Sequence, residues 1–441
     1  MMTTSFDVVI VGAGPAGSSA AILLARAGWS VALVEKQPFP RRKVCGECIA
    51  ASNLPLLHAL GIGTAFAAAA GPELRQVALL RGKRSVVADL PAASTNTSRW
   101  GRALGRETLD TLLLEQARAA GAHVLQPWSV QAIRGNAGAW RVELRAVDSQ
   151  NVQTLNAVVA IDAHGSWQAL PSSRPLRLKV RANSDLFAFK ANFFGTSLPQ
   201  GTLPVLCFDG GYGGMVVADG HVTTLACCIR RDRLVAARAA STGLRAGEVV
   251  EALLTRECIG VRDALRGATR DGPWLTSGPL DPGVHLRADD EIFRIGNAAG
   301  EAHPIIGEGM SMALQSAWLL SAHLLRAGRH HAATDNAWQR EIAKCYATEW
   351  RQQFSPRLRL AATFAHIAMR PLTALPLMAL ARLWPGMLTV GATWGGKTHS
   401  SVDLALVSML AARNARAGSC TASSAAASIA KIATHAAQNT T

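Results

Sequence analysis

The sequence predicts an α/β protein in three parts: an N-terminal βαβ domain that is interrupted and resumed along the chain, a second domain built on a β-sheet, and a helical C-terminal region. Three observations carry this expectation. An apolar strand at 6–11 runs into a Gly-rich turn and an Ala/Leu-rich stretch, residues 175–280 are rich in strand-like segments, and residues 332–414 are mostly helix-forming. The chain has 441 residues, 49% of them hydrophobic and 17% charged, which suits a folded protein of two or three domains.

Each element follows from local pattern. Residues 6–11 are apolar and β-branched, residues 18–27 are helix-prone and close at Gly28, and residues 30–34 form a second apolar strand. Such short, continuously apolar strands fit a parallel sheet covered on both faces. Residues 73–90 read as a hairpin turning at Arg81-Gly82-Lys83, and residues 108–120 as a helix stopped by Gly121. Residues 122–161 alternate in strand fashion around a turn at Gly135-Asn136-Ala137-Gly138. The 175–280 segment carries one helical interruption near 243–267, and residues 291–327 return to a strand, a Gly-rich loop and a long helix. From Ala415 the chain is Ala/Ser/Thr-rich and is expected to fray. The boundaries expected are 1–72, 101–172 and 283–330 for the three parts of the first domain, 73–100 for a β excursion toward the second, 173–282 for the second domain, 331–414 for the helical region and 415–441 for the tail.

Composition narrows the function classes. Eight cysteines are scattered over the chain without the spacing of a disulfide framework, and no basic-then-apolar leader pattern is readable, so a cytoplasmic protein is expected. The net charge of +15 is mostly arginine spread along the chain, with no basic run of five or more, which does not point to nucleic acid. No grouping of His, Cys or Asp has metal-ligand spacing, and no nucleophile elbow is present. Between 354 and 394 the apolar sequence is broken by Arg357, Arg359, Arg370 and Arg382. Its uncharged runs, 371–381 and 383–396, fall short of the roughly 20 residues a spanning helix needs. That leaves a helical lid on the first domain, or an amphipathic cap that either dips into a membrane, as a peripheral contact through 354–396, or covers a lipophilic substrate tunnel.

Chemistry is carried by three segments. In Gly12-Ala13-Gly14-Pro15-Ala16-Gly17 the first glycine permits a tight turn, the second lets backbone approach a pyrophosphate, and the third lets helix and strand pack closely. Glu35, at the end of the next strand, suits ribose hydroxyls and would repel a 2′-phosphate. The second segment is a buried strand and turn, Val158-Val159-Ala160-Ile161-Asp162-Ala163-His164-Gly165. The third is Phe293-Arg294-Ile295-Gly296-Asn297-Ala298-Ala299-Gly300, continuing through His303-Pro304-Ile305-Ile306-Gly307-Glu308-Gly309-Met310 into a helix. Amides at such a helix start favour negative charge.

Together these segments resemble the FAD-dependent oxidoreductases of the aromatic-hydroxylase fold, nearest the branch of geranylgeranyl reductases, flavin-dependent halogenases and related monooxygenases. The resemblance covers roughly residues 6–330 and implies a Rossmann-like FAD-binding domain, a β-sheet substrate domain and a helical C-terminal region. It implies that the first motif holds the ADP pyrophosphate and that Asp162 and Gly165 lie near it. It further implies that Gly296 and Asn297 meet the ribityl chain, and that Pro304, Gly307, Gly309 and Met310 line the flavin ring. Arg106, in an Arg-x-x-x-Asp helix start, is implied to reach the cofactor, with Lys36 and Val130 as further contacts. A surface arginine is the alternative for Arg106.

Several positions depart from the family pattern. Asn297 stands where the family usually has Asp; it donates as well as accepts and carries no charge. Lys43-Val44-Cys45-Gly46-Glu47 resembles the reductase branch's Lys-x-Cys-Gly-Gly stretch, with Glu47 in place of the second Gly, and is implied to run near the flavin. Cys45 and Cys48 have redox-dithiol spacing, against which stands simple packing. Gly210-Gly211-Tyr212-Gly213-Gly214 resembles a substrate-domain strand in which the family tends to carry Trp, so Tyr212 and Gly214 are substrate candidates beside a roomy cavity; Tyr212 also suits an ordinary strand aromatic. The tryptophan-halogenase signature Trp-x-Trp-x-Ile-Pro is absent from the sequence. His303, Pro304 and Cys45 are the flavin-facing catalytic candidates, His303 as hydrogen-bond donor or acid–base group, or else a loop histidine in solvent. The function implied first is a monooxygenase that takes electrons from NAD(P)H and hydroxylates an aromatic or lipophilic molecule through a flavin hydroperoxide. The alternatives are a reductase of isoprenoid-type C=C bonds and a membrane-docked flavoprotein passing electrons to a quinone or partner.

Overall fold

The computed structural model describes residues 4–93, 99–165, 182–287, 289–328, 336–395 and 402. Strand β1 (Thr4–Val11) pairs in parallel with β2 (Val31–Val34) across helix α1 (Pro15–Arg26). All four residues of β2 and ten of the twelve in α1 are buried, which is why this unit reads as nearly continuous apolar sequence. Short elements follow: β3 (Cys48–Ile49), α2 (Leu54–Ala59) and α3 (Gly63–Ala69). The hairpin of β4 (Gln76–Arg81) and β5 (Arg84–Asp89) turns at Gly82-Lys83, as expected, with Arg81 opposite Arg84. After β6 (Arg102–Ala103), which pairs with β3, comes α4 (Arg106–Ala119). This helix starts two residues before the expected Thr108, because the polar Arg106 and Glu107 contribute no apolar period at its start.

Strands β7 (His123–Leu125), β8 (Trp128–Asn136), β9 (Ala139–Ala146) and β10 (Val152–Asp162) complete the first sheet in the order β7-β2-β1-β10-β9-β8. The β1, β2, β7 and β10 pairings are parallel, and β8–β9–β10 is an antiparallel meander.

The second sheet contains β11 (Leu186–Phe194), β12 (Thr202–Phe208), β13 (Gly211–Val217), β14 (Thr223–Arg230) and β15 (Thr269–Ser277). With the earlier hairpin its order is β15-β11-β14-β13-β12-β4-β5, and only β12 and β4 run parallel. Between β14 and β15 stand three helices, α5 (Arg231–Ala239), α6 (Ala246–Glu257) and α7 (Ile259–Ala264), rather than one interruption. The extra helix α5 buries no residue, so it left no apolar stripe in the sequence.

The chain then returns to the first domain. After β16 (Gly283–Val284), β17 (Phe293–Arg294) adds to β10 in parallel, β18 (Gly300–Glu301) pairs with β16, and α8 (Gly309–Ala327) packs on α1. Helix α9 (Asn336–Ala368) leans on α8, and α10 (Pro371–Leu383) turns away from it by 103°. Helices α10 and α11 (Gly386–Trp394) pack over β5. One core joins α1, α4, α8 and α9 around Trp318 and Trp350. A smaller core joins Leu79, Cys207 and Tyr212 of the second sheet to Ala365, Met369 and Met378 of the C-terminal helices. The expected tail at 415–441 lies outside the described residues.

Candidate functional site

A cavity of about 730 Å³ runs between the two sheets, from the first Gly-rich turn to the C-terminal helices. At one end β1 delivers Gly12, whose φ of +102° and closeness to Ala163 exclude a side chain: a Cβ there would lie 2.7 Å from the Ala163 carbonyl oxygen. Gly17 is more constrained, since a Cβ would fall 1.8 Å from the Gly12 oxygen. Helix α1 therefore rests directly on the turn. It opens at Gly14 and Pro15 with no side-chain cap and no acidic residue in its first turn, so its N-terminal amides face the cleft uncompensated.

A cationic wall faces this turn. Arg106 is buried and grips Asp110 with two bonds of 2.7 Å, one from Nε and one from Nη2. Arg41 stands 3.6 Å from Glu35 and 4.0 Å from Asp110, and its Nε is buried without a hydrogen-bond partner among the described residues. Burial first, then Arg106 and Arg41, pushes the Lys43 ammonium down to about 8. Three cations crowded together with an unsatisfied donor are what a diphosphate would relieve. Glu35 closes this end, accepting from the amides of Ala13 and Gln37 at 2.9 Å each. Uncapped helix start, glycine cradle and cation wall fit the pyrophosphate of an FAD.

The loop that carries Lys43 and Cys45 is tied down at Glu47. This residue has φ +57°, a conformation that costs any side chain, in the position where the family pattern has glycine. Its carboxylate explains why it stays. Oε1 accepts from the Arg106 amide at 3.0 Å and from the ammonium of Lys190, and Oε2 accepts from the Thr224 hydroxyl. Glu47 and Lys190 are both buried, so one ion pair staples the first domain's loop to strands β11 and β14 of the second sheet.

Beyond this staple the cavity widens. Asn297, Pro304, Gly307, Gly309 and Met310 line one side, and Cys45, Tyr212 and Gly214 line others. The far wall is apolar: Leu79 and Val205 from the second sheet meet Phe364, Leu377 and Leu388 from the C-terminal helices. Tyr212 contacts His303 across 3.1 Å between its hydroxyl and Nδ1. Burial holds the phenol well above its ordinary value and, with His366 nearby, holds His303 down to about 4, so both are neutral around pH 7.

Most of the expected site residues converge here. Gly12, Gly14, Pro15, Ala16, Glu35, Arg106, Gly165, Gly296, Asn297, Pro304, Gly307, Gly309, Met310, Cys45, Tyr212 and Gly214 all line the cleft. Others are corrected. Ala13 and Gly17 do not line it; one fixes Glu35 and the other seats α1. Asp162 is buried behind the cleft wall, where it accepts from the His164 amide at 3.2 Å and pairs with the His164 ring. Lys36 is exposed, and Val130 packs beside the first sheet with Phe6 and Val11; neither lines the cleft. His303 also lies outside the lining: it is buried behind Tyr212 rather than facing the ring site or solvent. Cys45 packs on the first domain's core, whereas Cys48 packs with Leu74 and Val216 in a separate cluster. Arg41 and Lys43 were expected only as part of a stretch running near the flavin, and Lys190 was not expected as a site residue. Lys190 had a visible signal, a lone cation within the apolar strand Leu186-Phe187-Ala188-Phe189-Lys190-Ala191, since a charge buried there demands a partner.

A parallel βαβ sheet, a Gly-rich turn facing three cations and a late Gly-rich loop on one cleft define a dinucleotide-binding flavoprotein. Residues 5–199 match the FAD binding domain family. The protein is an FAD-dependent oxidoreductase. It is 27% identical over 339 residues to a menaquinone reductase of Mycobacterium tuberculosis, covering 73% of this chain and 76% of that protein. It is 25% identical over 368 residues to a 1H-pyrrole-2-carbonyl-[peptidyl-carrier protein] chlorinase of Pseudomonas fluorescens, covering 75% and 78%. In fold it matches the flavin-dependent brominase Bmp2 with a TM-score of 0.69 and 18% identity, over 89% of this chain and 94% of that one.

Proposed function

We propose that this oxidoreductase reduces a lipophilic, isoprenoid-type small molecule at a C=C bond or a conjugated ring. The observation that carries the proposal is the apolar far wall, where sheet and C-terminal helices offer a substrate hydrocarbon contact and exclude water. FAD held by the Gly12–Gly17 turn and the Arg41, Lys43 and Arg106 wall would supply the two-electron chemistry. The chain's own residues do the rest. Gly214, whose missing side chain has a single near neighbour, leaves room for substrate in the cavity that the Pro304–Met310 segment also lines. Tyr212 keeps its proton beside neutral His303, so this wall of the cavity presents no charge to a hydrocarbon substrate. A relative named for menaquinone reduction supports the same chemistry. NAD(P)H is the proposed electron source, docking transiently.

A second proposal, oxygen-dependent hydroxylation of the same class of substrate, draws on the relative named as a chlorinase. Oxygen separates the two. Enzyme reduced under nitrogen and mixed with a prenylated quinone or polyprenyl substrate should yield saturated or reduced product in one turnover. Product that forms only after air is admitted would overturn the reductive proposal in favour of the hydroxylase. Stopped-flow mixing with NADH and with NADPH tests the donor by the bleaching of the flavin band.

A further inference from the structure

We infer that the outward face of α10, with the start of α11, docks on an anionic lipid surface and that a lipophilic substrate enters the cavity from there. Helix α10 is divided lengthwise. Ala374, Met378 and Ala381 are buried, while Leu372, Leu375, Pro376, Ala379, Leu380 and Leu383 are all exposed, and none of these six is polar. The exposure is large: Leu372 is 89% exposed, Leu383 85%, and the neighbouring Trp384 57%. A helix that is apolar on its outward as well as its inward face, with polar residues only at its ends, departs from an ordinary surface helix, whose outward face is polar.

Charge selects the occupant. From Arg351 through Val402 the sequence has six cations, Arg351, Arg357, Arg359, Arg370, Arg382 and Lys397, and no Asp or Glu. Arg370 precedes α10 and Arg382 lies at its end, both exposed, so the apolar strip is bracketed by cations with stems long enough to reach headgroups. Trp384 sits at the boundary, where an indole is favoured at a membrane interface. No described helix is long and apolar enough to cross a membrane, and the 103° bend between α9 and α10 suits a helix lying in the interface plane. Leu377 of α10 and Leu388 of α11, with Phe364 of the neighbouring α9, line the cavity. A hydrocarbon substrate leaving a bilayer would therefore pass from lipid to cavity without crossing water. The purpose of the surface rests on the lipophilic substrate proposed above; its existence is tested without turnover.

The experiment is flotation of the full-length, FAD-loaded protein with vesicles of phosphatidylglycerol and, separately, of phosphatidylcholine. We expect co-flotation with the anionic vesicles, less at high salt, and little with the neutral ones. The variant Leu372→Gln/Leu383→Gln/Trp384→Gln changes side chains that do not line the cavity, and it should float at least about tenfold less while keeping its flavin spectrum. Wild-type protein that stays at the bottom of the anionic gradient, or a triple variant that floats as well as wild type, would overturn the inference. So would a wild-type dimer in light scattering that the triple variant dissociates, since a second copy would then cover the face. If flotation holds while the anaerobic turnover above fails, the docking surface stands and only the chemistry assigned to the cavity is wrong.

Discussion

The two ends of the cleft are built on opposite physics. The cofactor end is polar and tightly spaced, and within it the turn and the central arginine are held by neighbours close in the chain, Gly12 against Gly17 and Arg106 against Asp110 one helical turn away. The substrate end is apolar and made from segments far apart in sequence, with Leu79 facing Phe364 and Leu388 across the same cavity. One buried ion pair, Glu47 with Lys190, joins the two. A site that must hold a charged, invariant cofactor leaves no slack, whereas a site for hydrocarbon tolerates variation because burial has no preferred direction.

The largest effect should come from adding a methyl group at each end. Gly17→Ala places its Cβ 1.8 Å from a backbone oxygen, so the variant should purify without flavin or fail to fold. Gly214→Ala meets its nearest neighbour, the Pro204 oxygen, at 3.0 Å and should keep a wild-type flavin content. Absorbance of bound flavin per polypeptide reads both, and equal retention would erase the contrast between the ends.

Next in size is the staple. Lys190→Met leaves a buried carboxylate without its cation and should destabilise by about 3–5 kcal/mol. The double variant Glu47→Gln/Lys190→Met should recover most of that loss, because no buried charge then lacks a partner. Urea unfolding midpoints measure both, and a double variant no more stable than the single one would show that the pair is not the link between the ends.

The smallest effect is a pH dependence confined to the cofactor end. Lys43 in the free protein is held down to about 8, and a bound diphosphate favours its charged form. Above that pH binding must take up a proton, so FAD affinity should fall as pH rises through about 8, by at most about tenfold per pH unit. Below it Lys43 is already charged and the slope should vanish. Lys43→Arg stays protonated throughout and should flatten the profile, as read by apoprotein titration with FAD. Affinity for a lipophilic ligand at the other end should not share this slope.

Legibility in the sequence follows the same division. The β1–α1–β2 unit, the hairpin turning at Gly82 and the Gly-rich turn could be read by residue, because each depends on neighbours within a few positions. The six- and seven-residue helices α2 and α3 are too short to display a period, and α5 buries nothing, so none of the three was legible. His303 sits in the expected loop yet turns to Tyr212, ninety-one residues away in sequence, a choice that only packing makes.

The sequence by itself determined the cofactor: the turn at Gly12–Gly17, Glu35 and the loop from Gly296 to Met310 are local solutions to binding a dinucleotide, and the chain writes them in order. Tertiary structure alone decided what lies beyond. It gave Glu47 a reason to occupy a glycine conformation by bringing Lys190 and Thr224 to it, and it turned α10 so that one face lines the approach to the cavity while the other meets solvent. The physical reason is distance along the chain. A glycine turn that opens a helix is legible as one short motif, but an apolar chamber exists only once remote surfaces close on one another.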